Sequence, residues 1–275
     1  MTERRLRVGV AQFGSVVGAV EENLTVLLAL LGQVDPAQLD VVCFPELCLP
    51  GYLLEPAAYD DLLMQELRRA DDAVVAAAEA AGVQVVYGTA HADGAQLRNV
   101  VVAAGADGRR TYIKAHLAGA ERAVFEPGDQ LVLTADGAVG LGCCYDLAFA
   151  GFSTRLADHG AGVLCYPMAW ERERAFVLEA LAPARAVENA AYVVCANQTG
   201  AFGGLDFYGG SRVVDPLGRT LCRLGDETGV AVAKLDLSWV DQLRHAPAGA
   251  TFPFALDRRD AQELRAPDAV SLERR

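Results

Sequence analysis

The stretch NVVVAAGADGRRTYIK, residues 99–114, decides between two architectures. It holds two runs rich in β-formers, 99–104 and 110–114, joined by the turn sequence GADG. Short runs with a tight turn between them pair antiparallel. The chain upstream reads differently: strand at 6–13, amphipathic helix at 23–31 beginning near Val20, strand at 39–44, alanine-rich helix at about 60–81, strand at 84–88. That β-α-β-α-β order is layered α/β structure. Downstream, 131–134 and VGLGCC are again short strands. Helix and strand then alternate through FSTRLADHG, AGVLCYP, a helix near 172–189 and AYVVCANQ. GGSRVVDPLG and GVAVAKLDL supply two last strands, with DPLG as the turn between them. An antiparallel meander inside an α/β chain predicts two sheets, and the expected fold is a four-layer α-β-β-α sandwich. The alternative is a doubly wound sheet with a hairpin appendage. No G-x-G-x-x-G opens a helix after a strand, which argues against a dinucleotide fold. No linker interrupts the pattern, so residues 1–257 form one expected domain. Residues 258–275 are a charged tail, either loose or lying across a partner subunit.

Composition narrows the function. The 275 residues are 52% hydrophobic and 22% charged, enough for a large core and unlike a disordered chain. A formal charge of -12, from 36 acids against 24 bases, argues against nucleic acid and anionic membrane as partners. The opening MTERRLRVGVAQF does not read as a signal peptide, and no run approaches the roughly eighteen apolar residues of a membrane span. The expectation is a soluble, cytoplasmic protein. Seven cysteines, several inside apolar runs, read as reduced buried thiols and not as a disulfide framework. Without C-x-x-C spacing, and with only four histidines, no metal site is expected. Of the 24 basic residues only Lys114 and Lys234 are lysines, which marks Lys114 as a place where a compact ammonium is wanted.

Three positions carry candidate chemistry. Glu46 follows the apolar run VVCFP, at the strand end where open α/β sheets place ligand sites. Lys114 ends TYIK, and Cys144 follows VGLGC's first four residues and Cys143. If that strand stays regular, Val139, Leu141 and Cys143 share one face and Gly140, Gly142 and Cys144 the other. The second face is stripped of side chains, leaving space for a substrate, so Cys143 packs and Cys144 reacts. A carboxylate, an ammonium and a thiol together can run acyl transfer: base, oxyanion partner and nucleophile. Taken singly, a loop glutamate, a surface lysine and two core cysteines remain open readings, as does a Cys-His pair using His116.

FPELCLPGY, YIKAHL with ERAVFEPGD, and GLGCCYDLAF resemble the three motif blocks of the nitrilase, or carbon-nitrogen hydrolase, superfamily. Their order is right, Glu46, Lys114 and Cys144 being 68 and 30 residues apart, and the likeness continues through RAVENAAYVVCANQTG and YGGSRVVDPLGR. The resemblance implies that Glu46 is the general base, Lys114 the transition-state lysine and Cys144 the nucleophile. By the same likeness, Glu121 is the second glutamate that holds the lysine. It also implies the αββα sandwich, and a homodimer or higher homo-oligomer paired through helices.

Cys-Tyr-Asp at the nucleophile resembles the amidase branch; true nitrilases carry Cys-Trp-Glu there. The expected reaction is hydrolysis of a small non-peptide amide to acid and ammonia through a Cys144 thioester, without cofactor. N-carbamoyl hydrolysis or acyl transfer is the alternative, then a nitrile substrate, and last an idle scaffold. Tyr145 is expected to offer its backbone N–H to the oxyanion. Pro167, Met168, Ala169 and Trp170 are expected to form an apolar pocket wall. Gly151 stands where relatives carry a glutamate, so no particular specificity transfers. Arg185 and Glu188 have the (i, i+3) spacing of an ion pair, and Asn197 either lines the site or makes internal hydrogen bonds.

Overall fold

The computed structural model describes residues 4–202 and 204–245; the expected tail lies outside the described residues. In chain order the first half is β1 (Arg5–Gln12), α1 (Val20–Leu31), β2 (Val41–Cys43), α2 (Asp61–Ala81), β3 (Gln84–Asp93), β4 (Gln96–Gly105) and β5 (Gly108–Ile113). The second comprises β6 (Val132–Leu133), β7 (Val139–Leu141), α3 (Ala150–Asp158), β8 (Val163–Met168), α4 (Ala175–Asn189) and β9 (Tyr192–Asn197). It ends with β10 (Thr199–Phe202), β11 (Leu205–Tyr208), β12 (Arg212–Val214), β13 (Thr220–Arg223), β14 (Gly229–Asp236) and α5 (Leu237–Arg244). One sheet runs β14-β1-β2-β3-β4-β5, the other β13-β12-β9-β8-β7-β6. Each has a parallel centre, β1-β2-β3 and β7-β8-β9, flanked by antiparallel strands.

The two periodicities explain the layering. Along the first sheet Val8, Val10, Cys43, Val86 and Val101 turn inward to the second sheet. Their neighbours Val42, Val85, Val100 and Val102 turn outward under α1 and α2. Leu24, Leu27 and Leu31 of α1, and Leu63, Leu67, Ala70, Val74 and Ala78 of α2, recur at helical spacing and meet them. Each such leucine or valine side chain, fully buried, stabilises the fold by roughly 1.5–3 kcal/mol. Asp60 caps α2 by accepting from the Leu63 amide, and Gly82 closes it in the left-handed region at φ 65°. On the other side α3 and α4 cover the second sheet through Leu156, Leu178, Ala182 and Ala186. The result is the α-β-β-α sandwich. No helix among the described residues is long and apolar enough to cross a membrane.

The structure corrects several local expectations. DPLG turns β12 into β13, a short, mostly exposed strand without apolar alternation, while GVAVAKLDL becomes β14 and crosses to pair with β1. The segment at 131–134 leaves the meander and joins the second sheet beside β7. The β10–β11 hairpin and α5 were not marked by the sequence pattern. Gly140 and Gly142 do not open a face for substrate. A Cβ on Gly140 would lie 3.0 Å from Ala161 Cβ and 3.1 Å from Leu156, and one on Gly142 only 2.4 Å from the Tyr166 ring. The missing side chains admit α3 and Tyr166.

An ion pair fastens α4 to the far edge of this sheet. The buried Arg212 guanidinium donates to both carboxylate oxygens of Glu179, 2.5 and 2.8 Å, and Tyr208 Oη donates to the same carboxylate at 2.6 Å. Hydrogen bonding from Arg212 lowers the Glu179 carboxyl to about 2 from an ordinary 4.5. A depressed carboxyl favours the fold above its unfolded value and loses that contribution as pH falls through the folded one. Glu179→Gln should therefore lower Tm at neutral pH and make the fall in stability between pH 4.5 and 2 shallower than in wild type. Thermal melts across that range check it; parallel curves would leave the pair without a role.

Candidate active site

Four strand ends meet at one edge of the sandwich, just beyond the carboxyl termini of the parallel strands. Glu46 follows β2, Lys114 follows β5, Cys144 follows β7, and Ala169–Trp170 follow β8. Glu46, Lys114 and Glu121 are all completely buried. Lys114 Nζ donates to Glu46 Oε1 at 2.6 Å and to Glu121 Oε1 at 2.7 Å. An ammonium has three protons, so one remains for a further acceptor. Glu46 Oε1 also receives Asn99 Nδ2 at 2.7 Å, whereas its Oε2 is buried without a hydrogen-bond partner. Tyr52 Oη donates to Glu121 Oε1 at 2.5 Å, and the Ala118 amide donates to Oε2 at 2.9 Å.

Buried charge is tolerated here because it is paired. Burial pushes the Glu46 carboxyl up, but Lys114 and the Asn99 amide more than offset this and hold it below the ordinary range. Burial works against the Lys114 ammonium, yet Glu46 and the neighbouring groups raise it well above normal. Glu121 goes the other way: burial and the nearby Glu46 charge lift it despite Lys114. Burial and Glu46 raise the Cys144 thiol well above its usual value, against a lowering by Lys114. The resting site is thus a carboxylate, an ammonium and a protonated thiol.

Backbone geometry explains how Cys144 reaches this place. The strand ends at Leu141, Cys143 remains extended at φ -141°, and Cys144 turns to φ 39° as the first residue of a 3-10 turn over Cys144–Ala148. Positive φ is uncommon outside glycine. Among the described residues only Leu47, Cys144 and Ala190 show it without being glycine, and the first two adjoin this site. Asp146 pins the turn: it accepts from the Cys143 amide at 2.9 Å, from Tyr112 Oη at 2.7 Å and from the His116 amide at 3.0 Å. Arg185 braces the turn from behind through the carbonyls of Leu147 and Ala148, and pairs with Glu188 at 2.8 Å as its spacing suggests. His116 is engaged elsewhere, its Nδ1 2.7 Å from Asp146 and its ring stacked on Phe149 at 3.8 Å. The Tyr145 amide sits in the first turn, where a helical N–H needs a partner from outside.

Cys144 opens into a cavity of about 370 Å³. Tyr145, Ala169 and Trp170 line it, together with Ala118, Gly119, Ala148, Glu171, Arg174 and Val177. Pro167 and Met168 are buried and do not line it; the Met168 carbonyl instead accepts from the Glu46 amide at 3.2 Å. Asn197 makes internal bonds, accepting from the Trp170 amide at 2.6 Å and donating to its carbonyl at 3.1 Å, and so holds the wall. Gly151 is exposed at the start of α3, where an added Cβ would meet nothing within 4 Å. Asn99, Tyr52 and Gln198, whose Nε2 donates to the Glu46 carbonyl at 2.8 Å, were not singled out from sequence. Among the described residues no His, Cys, Asp or Glu group is arranged to hold a metal ion.

The family model for carbon-nitrogen hydrolase matches residues 7–245. The chain is 32% identical to a 2-oxoglutaramate amidase of Bacillus subtilis, over 75% of this chain and 82% of that one. It is 39% identical to the deaminated glutathione amidase of Mus musculus over 44% of this chain, spanning only 40% of that protein. Among solved structures, an amidase from Nesterenkonia with the acetamide moiety of fluoroacetamide bonded to its active-site cysteine superposes with a TM-score of 0.81. The identity is 26%, covering 94% of this chain and 95% of that one. The chain belongs to the carbon-nitrogen hydrolase family, with structural neighbours among the nitrilase-superfamily amidases.

Proposed function

We propose that this enzyme hydrolyses a small non-peptide amide to carboxylic acid and ammonia, with Cys144 as nucleophile, Glu46 as proton carrier, Lys114 as oxyanion partner and Glu121 as the group that holds Lys114. The observation that carries this reading is the buried Glu46–Lys114–Glu121 row, with its unpartnered Glu46 oxygen, beside a thiol that opens into a cavity. Glu46 Oε2 takes the Sγ proton as sulfur attacks the carbonyl carbon. The third Lys114 proton and the Tyr145 amide hold the oxygen that becomes negative. Glu46 then returns the proton to nitrogen, ammonia leaves, and a thioester remains. Water gives a proton to the same carboxylate and attacks the thioester; the acid departs and Cys144 regains its hydrogen.

Because the thiol rests protonated, a base must act at the moment of attack, and Glu46 is held ionised for that role. The amide reading is favoured over a nitrile by the Cys-Tyr-Asp junction and by the amidase names of the Bacillus subtilis and Mus musculus relatives; a Pyrococcus abyssi relative, 30% identical over 87% of this chain, is named a nitrilase. A related Nesterenkonia amidase has been captured with butyramide, 27% identical over 86% of this chain. Ammonia release from amides of about three to six carbons should exceed that from the matching nitriles by roughly tenfold, about 1.4 kcal/mol in barrier. Butyramide and butyronitrile assayed at equal concentration check it. Faster nitrile turnover, or an amide reaction that needs an added amine, would overturn hydrolysis. Intact-mass analysis during turnover would also identify the acyl group on Cys144 and separate carbamoyl from acyl chemistry.

The same proposal includes a reducing compartment such as the cytoplasm, supported by seven free cysteines of which six are buried. It also includes a single hydrolase domain and a homodimeric assembly, which the family resemblance supports.

A further inference from the structure

The loop after Trp170 carries four charged side chains, and only one of them is paired through its side chain among the described residues. Arg172 Nε donates to Asp206 at 3.1 Å and its Nη2 to Asp226 at 3.3 Å. The Glu171 carboxylate and the Arg174 guanidinium have no ion pair or side-chain hydrogen bond among the described residues, and both line the cavity that Cys144 opens into. Among the described residues they are its only charged lining groups; the remaining described wall is small or apolar apart from the thiol and Tyr145. The loop itself is fixed. Trp170 Nε1 donates to the Arg174 carbonyl at 2.8 Å, the Arg174 amide to the Glu171 carbonyl at 3.1 Å, and Glu171 forms a β-bridge with Phe207.

We infer that Glu171 and Arg174 select amides whose far end carries an α-amino-acid head, with its carboxylate on Arg174 and its ammonium on Glu171. This rests on the amide-hydrolase reading above. An anion alone would gain the planar, bidentate fork of arginine but would meet repulsion from Glu171 in the same cavity. A cation alone would meet the reverse. A zwitterion satisfies both groups, and being neutral overall it gains nothing and loses nothing from the net charge of -12. The specificity lies at the end of the substrate remote from the bond that breaks.

Four amides of matched length test this: pentanamide, glutaric monoamide, 5-aminopentanamide and glutamine. Wild type should turn over glutamine with kcat/KM roughly tenfold above pentanamide, the scale of one or two solvent-facing charge contacts. Arg174→Gln should collapse the glutamine-to-pentanamide ratio, lower that of glutaric monoamide and raise that of 5-aminopentanamide. Glu171→Gln should do the opposite for the two singly charged amides. Protection of Cys144 from iodoacetamide by each compound reads binding without turnover. Selective protection by glutamine, lost in either variant, would support the head-group site even if no amide were hydrolysed. Pentanamide equal to or better than glutamine in both assays, or ratios unmoved by either substitution, would overturn it.

Discussion

Cys144→Ala should reduce ammonia release from amide by roughly 10⁴-fold or more, the scale of deleting a nucleophile that works together with its base. Cys143→Ala, one residue away, should retain turnover and lose about 1 kcal/mol of stability, the cost of removing one buried heavy atom. The contrast follows from the chain path. Cys143 is extended and entirely buried between the sheets, its sulfur 4.0 Å from Asn99 Oδ1. Cys144 has turned to positive φ and opens into the cavity. Iodoacetamide should label Cys144 first, with loss of activity in step with the label. Retained turnover by Cys144→Ala, or equal loss on replacing Cys143, would transfer the role or remove it.

Lys114→Arg should lower kcat/KM by roughly 10²-fold or more, comparable with losing an oxyanion donor. The substitution keeps the charge, so it separates geometry from electrostatics. Lys114 Nζ sits between two carboxylate oxygens at 2.6 and 2.7 Å in a fully buried space. A guanidinium is broader and planar; it cannot occupy that point while leaving one proton aimed at the substrate. Circular dichroism and Tm should show a folded variant, and the loss should fall on kcat more than on KM, because the oxyanion exists only in the transition state. An enzyme within threefold of wild type would mean that the lysine only balances charge.

Much of this site could be read from sequence because its chemistry is concentrated at strand ends. Glu46, Lys114 and Cys144 each terminate an apolar run, and the rarity of lysine drew attention to one of them. What supports them was not legible. Asn99 stands in an ordinary strand, LRNVVV, and meets Glu46 only because β4 pairs with β3 in the observed register. Tyr52 reaches Glu121 across 69 positions, and Gln198 reaches Glu46 across 152. The glycines before Cys143 gave a misleading signal, because close packing of a helix and an open face for substrate leave the same gap in sequence. Likewise, of the wall expected at residues 167–170 only the second half lines the cavity, since β8 carries Pro167 and Met168 into the interior.

The close approach at Gly88 has a wider consequence. A Cβ there would lie 2.5 Å from Glu46 Cα and 2.4 Å from the Leu47 amide, so β3 presses directly on the backbone that carries Glu46. That backbone is also hydrogen-bonded across to the other sheet, through Met168 and Gln198, just as Asp146 beside Cys144 is hydrogen-bonded back to Tyr112. Acid and ammonium therefore come from one half of the sandwich and the thiol from the other, and neither half alone contains a reactive centre. The inner faces of both sheets share one core, so the set is assembled only where the two faces are docked. Turnover is then a gauge of that docking, and on warming it should fade with the first loosening of the seam, ahead of the loss of helix and strand.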